Sequence, residues 1–155
     1  MKAEYLNPFF IATKDVFKLM LDLDVKKGNV EVVSEMVPSK EANVILGVTG
    51  DLQGSVIFSF PKKMALDMVK IMSGMEFKEI DNFVSSALGE VANIIGGNAM
   101  TNLVAKNYKC NIAPPQVIIG KHKSLSIASK QAIKLSMITS IGEFDVIIFL
   151  AEKQD

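Results

Sequence analysis

The segment from Asp81 to Tyr108 constrains this chain most, because it reads as one long helix that Pro114-Pro115 forbid to continue. With successive residues turned about 100° apart, Val84, Leu88, Val91, Ile95 and Ala99 gather on one side. Ser86, Glu90, Asn93 and Gly97 fall on nearly the opposite side. The first group is a core stripe and the second a narrow polar stripe facing solvent or a partner. Three glycines, Gly89, Gly96 and Gly97, lie near it. Each costs about 1 kcal/mol relative to alanine inside a helix, so helix stability alone does not account for them. Glycine lets another surface approach closely. For Gly96 the expected use is tight packing inside the molecule, whereas Gly89 and Gly97 fit either packing or approach by a partner.

A helix this long needs a surface to lie on, and the flanking sequence supplies strands. NPFFIATKDVFKLMLDL is a first helix, with Asn7 as its cap, Pro8 in its first turn and Lys26-Lys27-Gly28-Asn29 after its end. Strand patterns follow at residues 30–36, 43–48 and 55–60, with residues 49–54 as a hairpin connection. Pro61 opens a short helix over residues 62–72, closed by Ser73-Gly74. After the long helix come strands at 116–120 (extending toward Ile127), 132–140 and 144–151, with residues 141–143 turning the last pair. Helix followed by strand meander thus occurs twice. This order predicts a single α+β domain over residues 1–155, with two long helices on one antiparallel or mixed sheet of about six strands and pseudo-twofold halves.

Bulk properties narrow the function. Seventeen basic and 17 acidic residues give a formal net charge of zero. A binder of nucleic-acid backbone gains from counterion release only with a basic excess, and anionic membranes have equally little pull on a neutral chain. No apolar run approaches the roughly 20 residues that span a bilayer. MKAEYLNPFF lacks the pattern of a secretory signal. The single cysteine, Cys110, can form no internal disulfide. A reducing, cytoplasmic compartment is the expectation. No phosphate-cradling glycine loop, metal-ligand cluster or nucleophile–base set points to a small-molecule or nucleotide enzyme.

Glu90 and Asn93, one turn apart, form a motif that many solvated helix faces carry by chance. Glu4 and Asn7 have the same spacing, but Pro8 disfavours helical geometry at Asn7, so the two are not expected to share a helix face. The other polar candidates have structural readings. His122 sits among lysines as an exposed residue, Cys110 is a small apolar residue near a helix end, and the methionines of the short helix fill core. Asn98 and Asn102 lean toward the apolar side and are expected to be hydrogen-bonded structural residues.

Ser86-x-x-x-Glu90-x-x-Asn93, the Asn-Pro-Phe-Phe helix, the hairpin around Gly50–Gly54 and the Met72-Ser73-Gly74 helix end together resemble the CheX branch of the CheC/CheX/FliY family of chemotaxis phosphatases. Pro115 answers the family's later proline, one residue short of the usual spacing. Two such signatures occur in CheC-type members, and only the long helix carries one here. The resemblance implies an α/β sandwich that hydrolyses the aspartyl phosphate of a CheY-type response regulator. It assigns Asn93 to holding the attacking water and Glu90 to pairing with the regulator's lysine. Ser86, Gly89 and Gly97 would meet the partner; Ser86 matches the signature, but a local helix or interface hydrogen bond suits it at least as well as a direct catalytic role. No cofactor is implied for this chain, since Mg2+ belongs to the regulator. A homodimer through sheet edges is implied as well. The alternative on the same fold is a non-catalytic module that binds a regulator or resembles a flagellar-switch domain.

Overall fold

The computed structural model describes residues 3–34, 36–38, 40–120, 124–126 and 131–153. Three helices lie on one face of a fully antiparallel seven-stranded sheet. In chain order the elements are α1 (Ala3–Leu21), β1 (Lys26–Val33), β2 (Met36–Pro38), β3 (Ala42–Gly50), β4 (Leu52–Phe60), α2 (Lys62–Ser73), α3 (Asn82–Val104), β5 (Cys110–Ile112), β6 (Gln116–Ile119), β7 (Ser124–Ser126), β8 (Ala132–Thr139) and β9 (Gly142–Glu152). The sheet runs β1-β8-β9-β4-β3-β5, with β6 also on β3, and β2 and β7 form a separate two-stranded ribbon.

A helix followed by strands recurs, but with four described strands after α1 and five after α3 where three and three were expected. The two parts meet where β4 pairs β9, with Ile57 opposite Ile147. The halves are not closed meanders, however. β1 of the first half pairs β8 of the second, and β6 of the second pairs β3 of the first. The outer strands are thus exchanged. The extension of the 116–120 strand toward Ile127 is replaced by two strands in different sheets, β6 and β7. The 49–54 connection is also shorter than expected, because β5 and β9 recruit its ends: Gly50 pairs Cys110, and Leu52 pairs Glu152. Only Asp51 remains as the turn, with Gly50 at φ 113° where a side chain would be strained.

The core lies between the helices and the sheet. Phe9, Phe17, Phe58, Phe60, Phe144, Leu88 and Ile95 are fully buried there, and Phe144 stacks on both Phe17 and Phe60 at centroid separations of 4.9 and 5.0 Å. Met64 and Met68 of α2 fill core as expected. Cys110 is buried in β5, its sulfur accepting the Leu52 N–H at 3.4 Å. His122 lies outside the described residues.

α1 departs most from expectation. It begins by Ala3, so Asn7 is not its cap and Pro8 sits inside it. Glu4 and Asn7 are therefore on one helix after all. Tertiary contacts hold the turn that proline weakens: the Tyr108 hydroxyl donates to Glu4 at 2.7 Å, Tyr5 meets Tyr108 edge-on, and the Asn102 amide donates to the Pro8 carbonyl at 3.2 Å. The helix ends at Asp22, whose left-handed φ of 53° turns the chain, and Lys26-Lys27-Gly28-Asn29 belong to β1.

Candidate functional site

Asp81 starts α3 by accepting the Val84 N–H at 2.9 Å, as a helix cap does. The helix stops at Val104, short of Tyr108. The chain unwinds through Asn107 at φ 69°, and Tyr108 turns back to α1. Between these ends Val84, Leu88, Val91, Ile95 and Ala99 are buried, as their periodicity requires. Glu90, Ser86 and Gly97 are exposed and Asn93 is half-buried. Among the described residues, no hydrogen bond or ion pair engages the side chains of Glu90, Asn93 or Ser86. The local hydrogen bond considered for Ser86 is therefore not formed.

The glycines separate by function. A Cβ on Gly96 would come within 2.8 Å of Leu46 and 2.9 Å of Ile112, so this glycine lets α3 press onto β3 and β5. A Cβ on Gly97 would meet nothing within 4 Å. Gly89 is buried but not crowded, with Pro115 at 3.6 Å and Val117 at 3.7 Å from the position of its missing Cβ. Gly89 lies in the floor of a groove of about 320 Å³ lined also by Ser85, Ser86, Glu90, Asn93, Pro115 and Val117. Val117 had no signal in the sequence beyond being part of a strand. Its place follows from β6 pairing β3 beside α3.

Asn102 is structural, as its bond to Pro8 shows. Asn98 is not: it is exposed, and no hydrogen bond engages its side chain among the described residues. The Glu4/Asn7 spacing is reproduced within α1, but the Glu4 carboxylate is taken by Tyr108. That hydrogen bond also holds the Tyr108 phenol above its ordinary range, since the nearby carboxylate and partial burial both disfavour a phenolate. Among the described residues no group of three His, Cys, Asp or Glu side chains converges as a metal site requires.

The α3 stripe thus presents a free carboxylate and a free amide, one turn apart, beside a groove. The amide can donate and accept at once and adds no charge, and the carboxylate can bond an ammonium. The family model described as Chemotaxis phosphatase CheX matches residues 42–139, more than half the chain and the whole of this site. The chain belongs to the CheX family. This CheX-family chain is 29% identical over 154 residues to the CheY-P phosphatase CheX of Thermotoga maritima, covering 99% of this chain and 98% of that protein. Its fold matches the crystal structure of a chemotaxis protein CheX from Desulfovibrio desulfuricans with a TM-score of 0.86 and 29% identity, over 97% and 99% of the two chains. It also matches the CheX–CheY–BeF3–Mg2+ complex from Borrelia burgdorferi, with a TM-score of 0.76 and 28% identity over 96% and 98%. No described helix of this CheX-family chain is long and apolar enough to cross a membrane.

Proposed function

We propose that this chain hydrolyses the aspartyl phosphate of a CheY-type response regulator, with Asn93 orienting the attacking water and Glu90 bonding the regulator's active-site lysine. The observation that carries this reading is the unpartnered Glu90/Asn93 pair on an open helix face. Phosphoryl transfer asks a protein for positioning and electrostatics more than for covalent chemistry. The regulator brings the phosphoaspartate and its own Mg2+, so this chain need supply only an oriented water and a fixed docking angle. An amide suits the first task, because a carboxylate there would repel the phosphoryl oxygens.

The test is phosphate release from an acetyl-phosphate-loaded regulator. Asn93→Ala is expected to lose about a hundredfold in turnover, the scale on which a misplaced reacting group fails. Its melting temperature should not fall, since Asn93 makes no hydrogen bond among the described residues and alanine favours helix. Full activity in that variant ends the water-positioning role. Tight binding to the regulator without accelerated hydrolysis by the parent protein would make it a binding module instead.

The reading includes a homodimer formed at the sheet edge. Among the described residues β1 pairs only with β8, and Val30 and Val32 are 55% and 62% exposed on it. An open strand edge carrying valines is a liability that pairing removes.

A further inference from the structure

Phe83 is a large aromatic left 54% exposed in the first turn of α3. Its ring stacks on Phe77, from the segment joining α2 and α3, with centroids 5.2 Å apart and planes 15° from parallel. The Asp81 cap fixes the same turn. The side chain is therefore held in place rather than swinging freely, and the rotamer entropy of ordering it has already been lost in the free protein.

Its position relative to Glu90 and Asn93 is informative. At about 100° and 1.5 Å per residue, Phe83 lies roughly 20° round the helix from Glu90 and about 10 Å along it, and about 15 Å from Asn93. The groove walled by Pro115 and Val117 is on the opposite flank, next to Gly89. The polar pair is thus bracketed, with an apolar wall on one side and a braced aromatic on the other. A standard protein interface buries about 800 Å² per partner, a patch about 30 Å across. Any partner centred on Glu90 and Asn93 covers Phe83. Val104, 52% exposed at the far end of the stripe, is a smaller side chain just before the helix unwinds.

We infer that Phe83 is the apolar anchor through which this chain binds the phosphorylated regulator, setting affinity while Asn93 sets turnover. This rests on the phosphatase reading for the identity of the partner. Truncating an aromatic anchor that an interface buries costs about tenfold in affinity. The test titrates the parent and the Phe83→Ala, Phe83→Leu and Asn93→Ala variants with the host's CheY-type regulator, saturated with beryllofluoride and Mg2+, and measures phosphate release in parallel. Phe83→Ala should raise Kd and KM about tenfold with kcat within about twofold of the parent, Phe83→Leu should fall between, and circular dichroism should show the helix intact. Unchanged Kd in Phe83→Ala overturns the anchor. Absence of accelerated phosphate release by the parent would sink the phosphatase role, and retained turnover in Asn93→Ala the water-positioning role of Asn93. Either result leaves the Kd comparison decisive for Phe83, so the failures are distinct.

Discussion

Replacing Gly97 with alanine separates stability from function at a single methyl group. Gly97 is exposed inside a long helix, and a Cβ there meets nothing within 4 Å, so the substitution has no steric cost. Alanine should gain about 1 kcal/mol from helix propensity and a less flexible unfolded chain. For a protein of this size that corresponds to a rise in melting temperature of about 2–4 °C. The new methyl stands one turn beyond Asn93 on the same stripe. A regulator held off by about 1 Å puts the water and the phosphorus out of line, and such displacement can cost on the order of a hundredfold. We expect phosphate release to fall at least about tenfold as thermal stability rises. Thermal denaturation followed by circular dichroism reads the first quantity and steady-state kinetics the second. A stabilised variant with undiminished rate would refute the idea that Gly97 keeps the stripe clear for a partner. A variant that fails to gain stability would refute the open-space geometry itself.

Asp145 offers a pH-dependent expectation. It is buried on the sheet face away from the helices, and burial raises its carboxyl above the ordinary value of 3.8, only partly opposed by Lys40 at 3.8 Å and by Lys134. Glu31 and Glu143 push the same way as burial. The folded state then holds this proton more tightly than the unfolded one, so the group's contribution is largest at low pH and is lost as pH rises from about 3.8 through the folded value. Asp145→Asn should gain stability relative to the parent as pH rises across that window, measured by urea denaturation at several pH values; a constant difference would contradict it. At the sheet edge, Val32→Lys should turn a dimer into a monomer by light scattering, since a lysine at an exposed edge opposes pairing. A parent that is already monomeric at micromolar concentration would remove the edge-pairing proposal.

The long helix, its two faces and the order of most elements are legible along the chain alone. Each of these is local periodicity or punctuation: a stripe at Val84–Ala99, a start near Asp81, prolines at positions 61, 114 and 115. The same periodicity also placed Glu90, Asn93 and Gly97 outward together, because positions along one helix fix relative direction. Long-range packing set the rest. It overrode Pro8 in α1, because contacts from Tyr108 and Asn102 outweigh one missing backbone bond. It exchanged the outer strands between halves, and it brought Pro115 and Val117 against Gly89 to shape the groove. The two glutamate–asparagine pairs are equal in spacing, and the sequence distinguished them for a reason that the structure overturned. What separates them is that Tyr108 occupies Glu4 while nothing among the described residues occupies Glu90. A partner so distant along the chain leaves no mark on local pattern, since the side chains that satisfy a polar group are chosen by the fold.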